Sequence, residues 1–140
     1  MPFDWHDFLK LANILHSGLQ TNPSWPKEAV ARSVFGRAYY AVFGYARQYA
    51  VAWLGFRGKS KAEDKTQEHG ALRAFYRSKR RQNIAERLDS LRTWRNYSDY
   101  DEYLPTEDSS KDLLHALESA AYIFQNLPPP KNHSNPSLPS

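Results

Sequence analysis

The segment 95–101, Arg-Asn-Tyr-Ser-Asp-Tyr-Asp, holds a dense group of side chains that could do chemistry. An arginine, a carboxamide, two tyrosines and two aspartates lie close together in it. The arginine guanidinium is planar, always charged and able to bind two oxygens at once, so it is well suited to holding a phosphate group. The same spacing also fits a purely structural role, in which Arg95 pairs with Asp99 one helical turn later.

Sequence patterns of several common enzyme classes are missing from the chain. It contains no glycine-rich phosphate loop, no His-Glu-x-x-His zinc pair and no Gly-x-Ser-x-Gly elbow. The 5 histidines are scattered at spacings that make no metal site. No cysteine is present to supply a disulfide, a thiolate ligand or a nucleophile. We therefore expect neither a metal nor a cofactor.

The basic and acidic residues are unevenly distributed along a chain whose net charge is +4. No acidic residue lies between Glu28 and Glu63, and the basic residues of that stretch are Arg32, Arg37, Arg47, Arg57, Lys59 and Lys61. A second basic group lies at 73–81, and acidic residues concentrate at 99–112. This asymmetry is compatible with a polyanionic partner such as RNA, although a solvated basic face would show it too.

A long helix predicted at 27–56 organises the elements that must position these side chains. Small, apolar and aromatic residues recur there at steps of three and four and cover several faces, which indicates the central helix of a bundle. Main helices are also predicted at 4–20, 81–94 and 106–127, with an exposed loop at 59–68 and a short helix at 68–77. No strand alternation is present, and no apolar run is long enough to span a membrane.

These elements predict an all-α fold, an up-and-down bundle of four main helices plus a short one, in a single domain at 1–127. The tail at 128–140 is rich in proline, serine and asparagine, so we expect it to be disordered. The acidic and aromatic N-terminus is unlike a signal peptide, and with the lack of cysteine it favours a cytoplasmic protein.

Two segments of the chain carry a family resemblance. The segment 37–43, Arg-Ala-Tyr-Tyr-Ala-Val-Phe, looks like an Arg-Ala-Tyr-Tyr-Ala signature, and 95–101 looks like an Arg-x-x-x-Asp-Tyr-Asp segment. Both motifs belong to the HEPN domains, a superfamily of small helical bundles, and in particular to its stand-alone prokaryotic branch. The pair His69 and Gly70 lies where these proteins often carry His-x-Gly or a similar pair. The chain resembles this family over roughly 4–127.

The resemblance implies a HEPN-like homodimer that acts on or binds RNA or a nucleotide, as a component of a toxin–antitoxin or defence system. Many HEPN proteins are metal-independent ribonucleases, and their partner is often a minimal nucleotidyltransferase acting as antitoxin. Their active pattern is an arginine, frequently followed by a polar residue, and then a histidine after a short spacer. Arg95 and Asn96 match the first half of that pattern. The histidine is absent, and Tyr100 stands at the nearest position where it is expected.

From this resemblance, the candidate catalytic residues are Arg95, Asn96, Asp99 and Tyr100. The candidate RNA- or nucleotide-binding residues are Arg37, Tyr40, His69 and Arg95. Cleavage of RNA needs a base and an acid, and histidine is suited to both because it titrates near neutrality. Tyrosine donates a proton more readily than it accepts one, and a neighbouring arginine makes an aspartate a weaker base. No residue is therefore assigned as the general acid or the general base, and Tyr100 and His69 are the residues that could take these roles.

Three functions stay open at this point. The chain could be a ribonuclease, a non-catalytic module that binds RNA or a nucleotide, or a docking module for a nucleotidyltransferase. In the last case the tyrosines available for modification by that partner are Tyr97, Tyr100 and Tyr103. The sequence also leaves open whether the basic group at 73–81 faces the same cleft as Arg95.

Arg37 lies among small and aromatic residues of the most apolar helix, where an unpaired charge would be costly. We therefore expect it to be buried with a partner, Asp99 or Asp101, either as an ion pair that locks the helices or as part of the cleft. Tyr39 and Tyr40 fit core or interface positions, and they could stack on a base if they line a groove.

Overall fold

The computed structural model describes residues 3–58, 65–104 and 109–130. The described residues form helices α1 (His6–Thr21), α2 (Lys27–Tyr49), α3 (Lys65–Ser78), α4 (Gln82–Tyr100) and α5 (Ser109–Gln125). No strand occurs within these ranges, which confirms the prediction of an all-α fold. None of these helices combines the length and the apolar character needed to cross a membrane.

Helix α2 is the central element, as its sequence predicts, and it packs against α1, α4 and α5. Its small residues, among them Ala38 and Ala41, are fully buried and let the neighbouring helices approach closely. Helix α3 packs mainly against α4 and reaches α2 through long side chains. The buried Tyr76 hydroxyl donates to the carbonyl oxygen of Ala46 at 2.6 Å, and Arg47 pairs with the buried Glu68 carboxylate.

Helix α2 ends in a π-helical turn, Ala50–Leu54, that closes on Gly55. Gly55 has a φ of 87°, in the left-handed region that glycine adopts without strain. The amide of the next residue, Phe56, donates to the carbonyl oxygen of Ala50 at 3.0 Å. The glycine thus ends the helix close to the predicted boundary.

The N-terminal segment is held against α2 by a close contact between the Trp5 ring and Gly44. A Cβ atom at position 44 would overlap the indole ring, so this contact exists only because position 44 has no side chain. On the same helix, Gly36 is different, since a Cβ atom there would meet nothing within 4 Å. Only Gly44 of these two is required by the packing.

Two predicted boundaries were wrong. Helix α3 begins at Lys65, so the end of the segment predicted as loop is helical, and its first part at 59–64 lies outside the described residues. Helix α4 continues past 94 to Tyr100, where Asp101 turns into extended backbone with φ −95° and ψ 137°. Residues 95–100 are therefore the last part of a helix, and their side chains follow helical spacing.

The end of the described chain is fastened to α2 by two tyrosines. The Tyr45 hydroxyl donates to the carbonyl oxygen of Leu127 at 2.5 Å, and the Tyr49 hydroxyl donates to that of Pro128 at 2.8 Å. The predicted start of the last helix, at 106–108, and the tail at 131–140 lie outside the described residues.

Candidate functional site

Helices α2, α3 and α4 surround a cavity of about 660 Å³, which we call the main cavity. Its lining residues are Tyr40, His69, Arg92, Arg95, Asn96, Tyr97, Tyr100 and Asp101. The fold thus brings together five residues that the sequence singles out: Tyr40 from α2, His69 from α3, and Arg95, Asn96 and Tyr100 from α4. The continuation of α4 to Tyr100 is what places the last three on one wall.

Arg95 is the most buried charged residue of the main cavity, with 8% of its surface exposed. Its Nη1 atom donates to the Tyr40 hydroxyl at 3.3 Å and lies 3.5 Å from the Asp99 carboxylate. Its guanidinium carbon lies 5.4 Å from the Tyr39 ring centroid and 5.5 Å from that of Tyr40, in cation–π range. The helical pairing of Arg95 with Asp99 is confirmed, and the same arginine also lines the cavity.

His69 lines the main cavity and contacts α2. Its Nδ1 atom shares a short hydrogen bond with the Tyr39 hydroxyl, and its ring stacks on Phe43 at 4.0 Å between centroids. Burial raises the pKa of Tyr39, so its phenol stays protonated at neutral pH and is able to donate to Nδ1. That donation would put the ring proton of a neutral His69 on Nε2.

Burial and nearby positive charge both lower the pKa of His69. Burial, followed by the charges of Arg92, Arg95 and Arg73, lowers the pKa of His69 from 6.5 to about 4, and Glu68 opposes them. Buried imidazole loses its proton more easily, and three guanidinium groups nearby add to the effect. Arg92 and Arg95 also line the main cavity, so both are placed to contact an anionic ligand there.

Arg92 is the site residue that the sequence interpretation missed. It is half-buried, and it makes no hydrogen bond or ion pair with any residue that the structure describes. The available signal was its spacing, because Arg92 lies three residues before Arg95 and four before Asn96, on one helix face. Its charge is thus free to meet a ligand in the main cavity.

The basic group at 73–81 is connected to the site through one member. Arg73 contributes to the low pKa of His69, and its Nε atom lies 3.3 Å from the Asp89 carboxylate of α4. Further along, Arg77, Lys79 and Arg80 are exposed and line neither cavity described here. Most of this group is therefore a solvated basic face.

Two predicted residues, Arg37 and Asp99, lie beside the main cavity, in a side cavity of about 270 Å³. The prediction that Arg37 is buried and paired with Asp99 or Asp101 was wrong. Its side chain is exposed, and its guanidinium carbon lies 5.3 Å from the Phe8 ring centroid. The error arose because the aromatic and small residues around position 37 in the sequence point to other faces of α2.

A second arginine of α2, Arg32, holds the end of α4 in place. Its guanidinium donates to the carbonyl oxygens of Ser98 at 2.9 Å, Asp101 at 2.7 Å and Glu102 at 2.9 Å, with a longer contact of 3.4 Å to that of Tyr97. The last carbonyls of a helix lack partners within the helix, and a cation there also complements the helix dipole. Arg32 thus fixes the turn that carries Tyr97 and Asp101 into the main cavity.

No protein-family model, curated protein or solved structure matches this chain. The chemistry of the site therefore has to follow from its geometry. Among the residues that the structure describes, no group of three or more histidine, cysteine, aspartate or glutamate side chains could hold a metal ion. The functional groups available are guanidinium, imidazole, amide, phenol and carboxylate.

The electrostatic origin of the low pKa of His69 can be tested directly. Arg92→Gln removes one of the three nearby positive charges, so we expect the pKa of His69 to rise above about 4. NMR titration of the imidazole C–H signals measures this shift, with Arg77→Gln as a matched control that leaves the pKa unchanged. An unaltered pKa in Arg92→Gln would mean that the charge of Arg92 does not reach His69.

Proposed function

We propose that this protein binds RNA in the main cavity, as a HEPN-like component of a toxin–antitoxin or defence system. The observation that carries the proposal is that two arginines, Arg92 and Arg95, line one cavity together with His69. Asp101 also lines the main cavity, and the Asp99 carboxylate lies 3.5 Å from Arg95, but Arg92 has no ion pair with a described residue and its charge is not offset in that way.

The two arginines of α4 are suited to holding a phosphate of the RNA backbone. Hydrogen bonds between a guanidinium group and phosphate oxygens are charge-assisted and can form in pairs. Asn96, one residue after Arg95, adds an amide that can donate to a phosphate or sugar oxygen. A phosphate in this position would share a cavity with His69.

Aromatic side chains at the same cavity favour RNA over a simple anion. Tyr40 and Tyr97 are partly accessible and Tyr100 has 75% of its surface exposed, and all three line the cavity. Unstacked bases of single-stranded RNA pack on such rings, which adds binding energy independent of charge. One RNA strand can therefore contact both the arginines and the aromatic rings of the main cavity.

The resemblance to HEPN domains supplies the biological part of the proposal. It is supported by the meeting of both motif segments and His69 around one cavity within an all-α fold. Under this proposal the protein is a cytoplasmic homodimer partnered by a nucleotidyltransferase-type antitoxin. Tyr100 and Tyr103, which are 75% and 80% exposed, are accessible to a second protomer or to that partner.

Ribonuclease activity is the second candidate, because His69 and Tyr100 line the same cavity as Arg95. Cleavage would transfer the proton of the 2′-hydroxyl to a base as its oxygen attacks phosphorus, and an acid would protonate the leaving 5′-oxygen. However, Nδ1 of His69 is engaged by Tyr39, and a pKa of about 4 makes this imidazole a weak base. We therefore place binding before cleavage.

Binding is tested with a fluorescent single-stranded RNA of about ten nucleotides, within the range of known single-strand sites. Anisotropy should show binding that weakens with salt, with a slope of log K against log salt of roughly −0.7 to −1.4 if one or two phosphates are neutralised. No binding even at low salt would refute the proposal. RNA recovered intact after incubation supports a binding module, whereas fragments ending in 2′,3′-cyclic phosphate would establish a ribonuclease.

A further inference from the structure

The side cavity adjoins the main cavity and shares one wall with it. Its lining residues are Arg32, Ser33, Gly36, Arg37, Tyr40 and Asp99, and Tyr40 lines both cavities. A strand whose phosphate occupies the main cavity therefore has a second concave site immediately beside it. The shared aromatic ring offers a surface against which the next part of the strand can pack.

The charges of the side cavity are nearly balanced, which distinguishes it from the main cavity. The Arg32 guanidinium is already engaged with the backbone carbonyls at the end of α4 and lies 3.8 Å from the Glu28 carboxylate. The remaining charged groups, Arg37 and Asp99, have opposite signs. A second phosphate would meet the Asp99 carboxylate, so the site is better suited to a neutral polar group.

Asp99 determines which neutral group fits. Its Oδ2 atom lies 3.5 Å from Nη1 of Arg95, and its Oδ1 atom makes no hydrogen bond or ion pair with the described part of the chain. The side chain is 42% exposed, so a ligand in the side cavity can reach it. An ionised carboxylate only accepts hydrogen bonds, and therefore the group it binds must present donors.

We propose that the base next to the bound phosphate enters the side cavity, and that Asp99 selects guanine there. This inference rests on the proposed RNA binding. Guanine presents an N–H and an NH₂ side by side on its Watson–Crick edge, which matches the two acceptor oxygens of a carboxylate. Adenine and cytosine would place an acceptor nitrogen beside their amino group, and uracil has a single N–H between two carbonyls.

The test compares RNA of about ten uridines with the same length of alternating uridine and guanosine. Matched oligo(A) and oligo(C) complete the set. Wild-type protein should bind the guanosine-containing strand about tenfold more tightly than oligo(U), a typical effect of one well-paired base edge. In Asp99→Asn the preference should fall below about twofold, because the amide replaces one acceptor with a donor.

Affinity for oligo(U) separates base selection from a general effect of Asp99 on the site. It should rise in Asp99→Asn, since a negative charge beside Arg95 has been removed. Glu102→Gln removes an exposed carboxylate that lines neither cavity, so its base preference should equal that of wild type. Circular dichroism confirms that both variants keep their helices.

The possible failures are distinguishable. Equal binding of all strands by wild type, or a guanine preference that survives Asp99→Asn, would overturn the inference and leave RNA binding intact. A uniform loss of affinity in Asp99→Asn would overturn it too, because Asp99 would then act only by positioning Arg95. If no strand binds at low salt, the proposed RNA binding itself fails.

Discussion

Arg92→Gln should weaken RNA binding by about tenfold to a hundredfold and leave the stability of the protein nearly unchanged. A hydrogen bond to a charged group contributes about 1.5–3 kcal/mol, and about 1.4 kcal/mol corresponds to a factor of ten in affinity. Arg92 makes no hydrogen bond or ion pair with another described residue, so the substitution breaks no such bond or pair in the free protein. Anisotropy gives the affinity, and thermal unfolding gives the stability.

The matched control is Arg77→Gln, which lowers the net charge by the same one unit but changes an exposed residue away from both cavities. Its affinity should remain within about twofold of wild type at moderate salt, since exposed charges at a distance are screened. Equal weakening in the two variants would show that RNA is held by the overall charge of the surface. Wild-type affinity in Arg92→Gln would place the binding site elsewhere.

Arg95 is a less selective target, although it is the arginine that the sequence motif highlights. It is buried, contacts the Tyr40 hydroxyl and Asp99, and lies near the rings of Tyr39 and Tyr40. Removing it would leave these groups without their partner, so a loss of function in Arg95→Ala would combine lost binding with lost packing. The Arg92→Gln variant tests the loss of binding without this loss of packing.

Arg32→Met should lower the free energy of unfolding by about 1.5–3 kcal/mol, the value of a hydrogen-bonded charged group at a helix C-terminus. Methionine keeps much of the aliphatic length but donates nothing, so the carbonyl oxygens of Ser98, Asp101 and Glu102 lose their partner. The Arg32 side chain is 21% exposed, so water can replace part of the lost hydrogen bonding. Urea unfolding measures the change through the midpoint and slope.

Arg37→Met is the control for Arg32→Met, because it removes the same charge from the same helix. Arg37 is exposed, and its guanidinium makes a cation–π contact with the Phe8 ring, which contributes about 0.5–1 kcal/mol. We expect it to be the less destabilising of the two variants by about 0.5–2.5 kcal/mol. Equal losses would mean that Arg32 contributes only as a charge on α2.

The general architecture could be predicted because it follows from local patterns. The apolar positions of α2 recur with helical spacing on several faces, which predicts both the helix and its central place. Gly55 marks its end for an equally local reason, the left-handed backbone at that position. In contrast, the end of α4 was misplaced, because its last residues are polar and their helical state depends on Arg32, a residue distant in sequence.

The candidate site could be predicted only in part. Arg95, Asn96 and Tyr100 are close in sequence, and the resemblance to HEPN domains directs attention to them and to His69. The side-chain direction of Arg37 could not be predicted, because α2 is apolar on so many faces that sequence spacing does not identify the exposed one. Arg92 was identifiable from its spacing to Arg95, whereas Arg32 was not, since its partners are backbone carbonyls that carry no sequence signal.

The contact between Trp5 and Gly44 has an evolutionary consequence. Any side chain at position 44 collides with the indole ring while Trp5 is present, but the collision disappears once a smaller residue replaces Trp5. The same substitution at Gly44 is thus harmful in one genetic background and tolerable in another. This dependence is directional epistasis: a side chain at position 44 is better tolerated after Trp5 has been lost than before, so the structure favours one order of the two mutations.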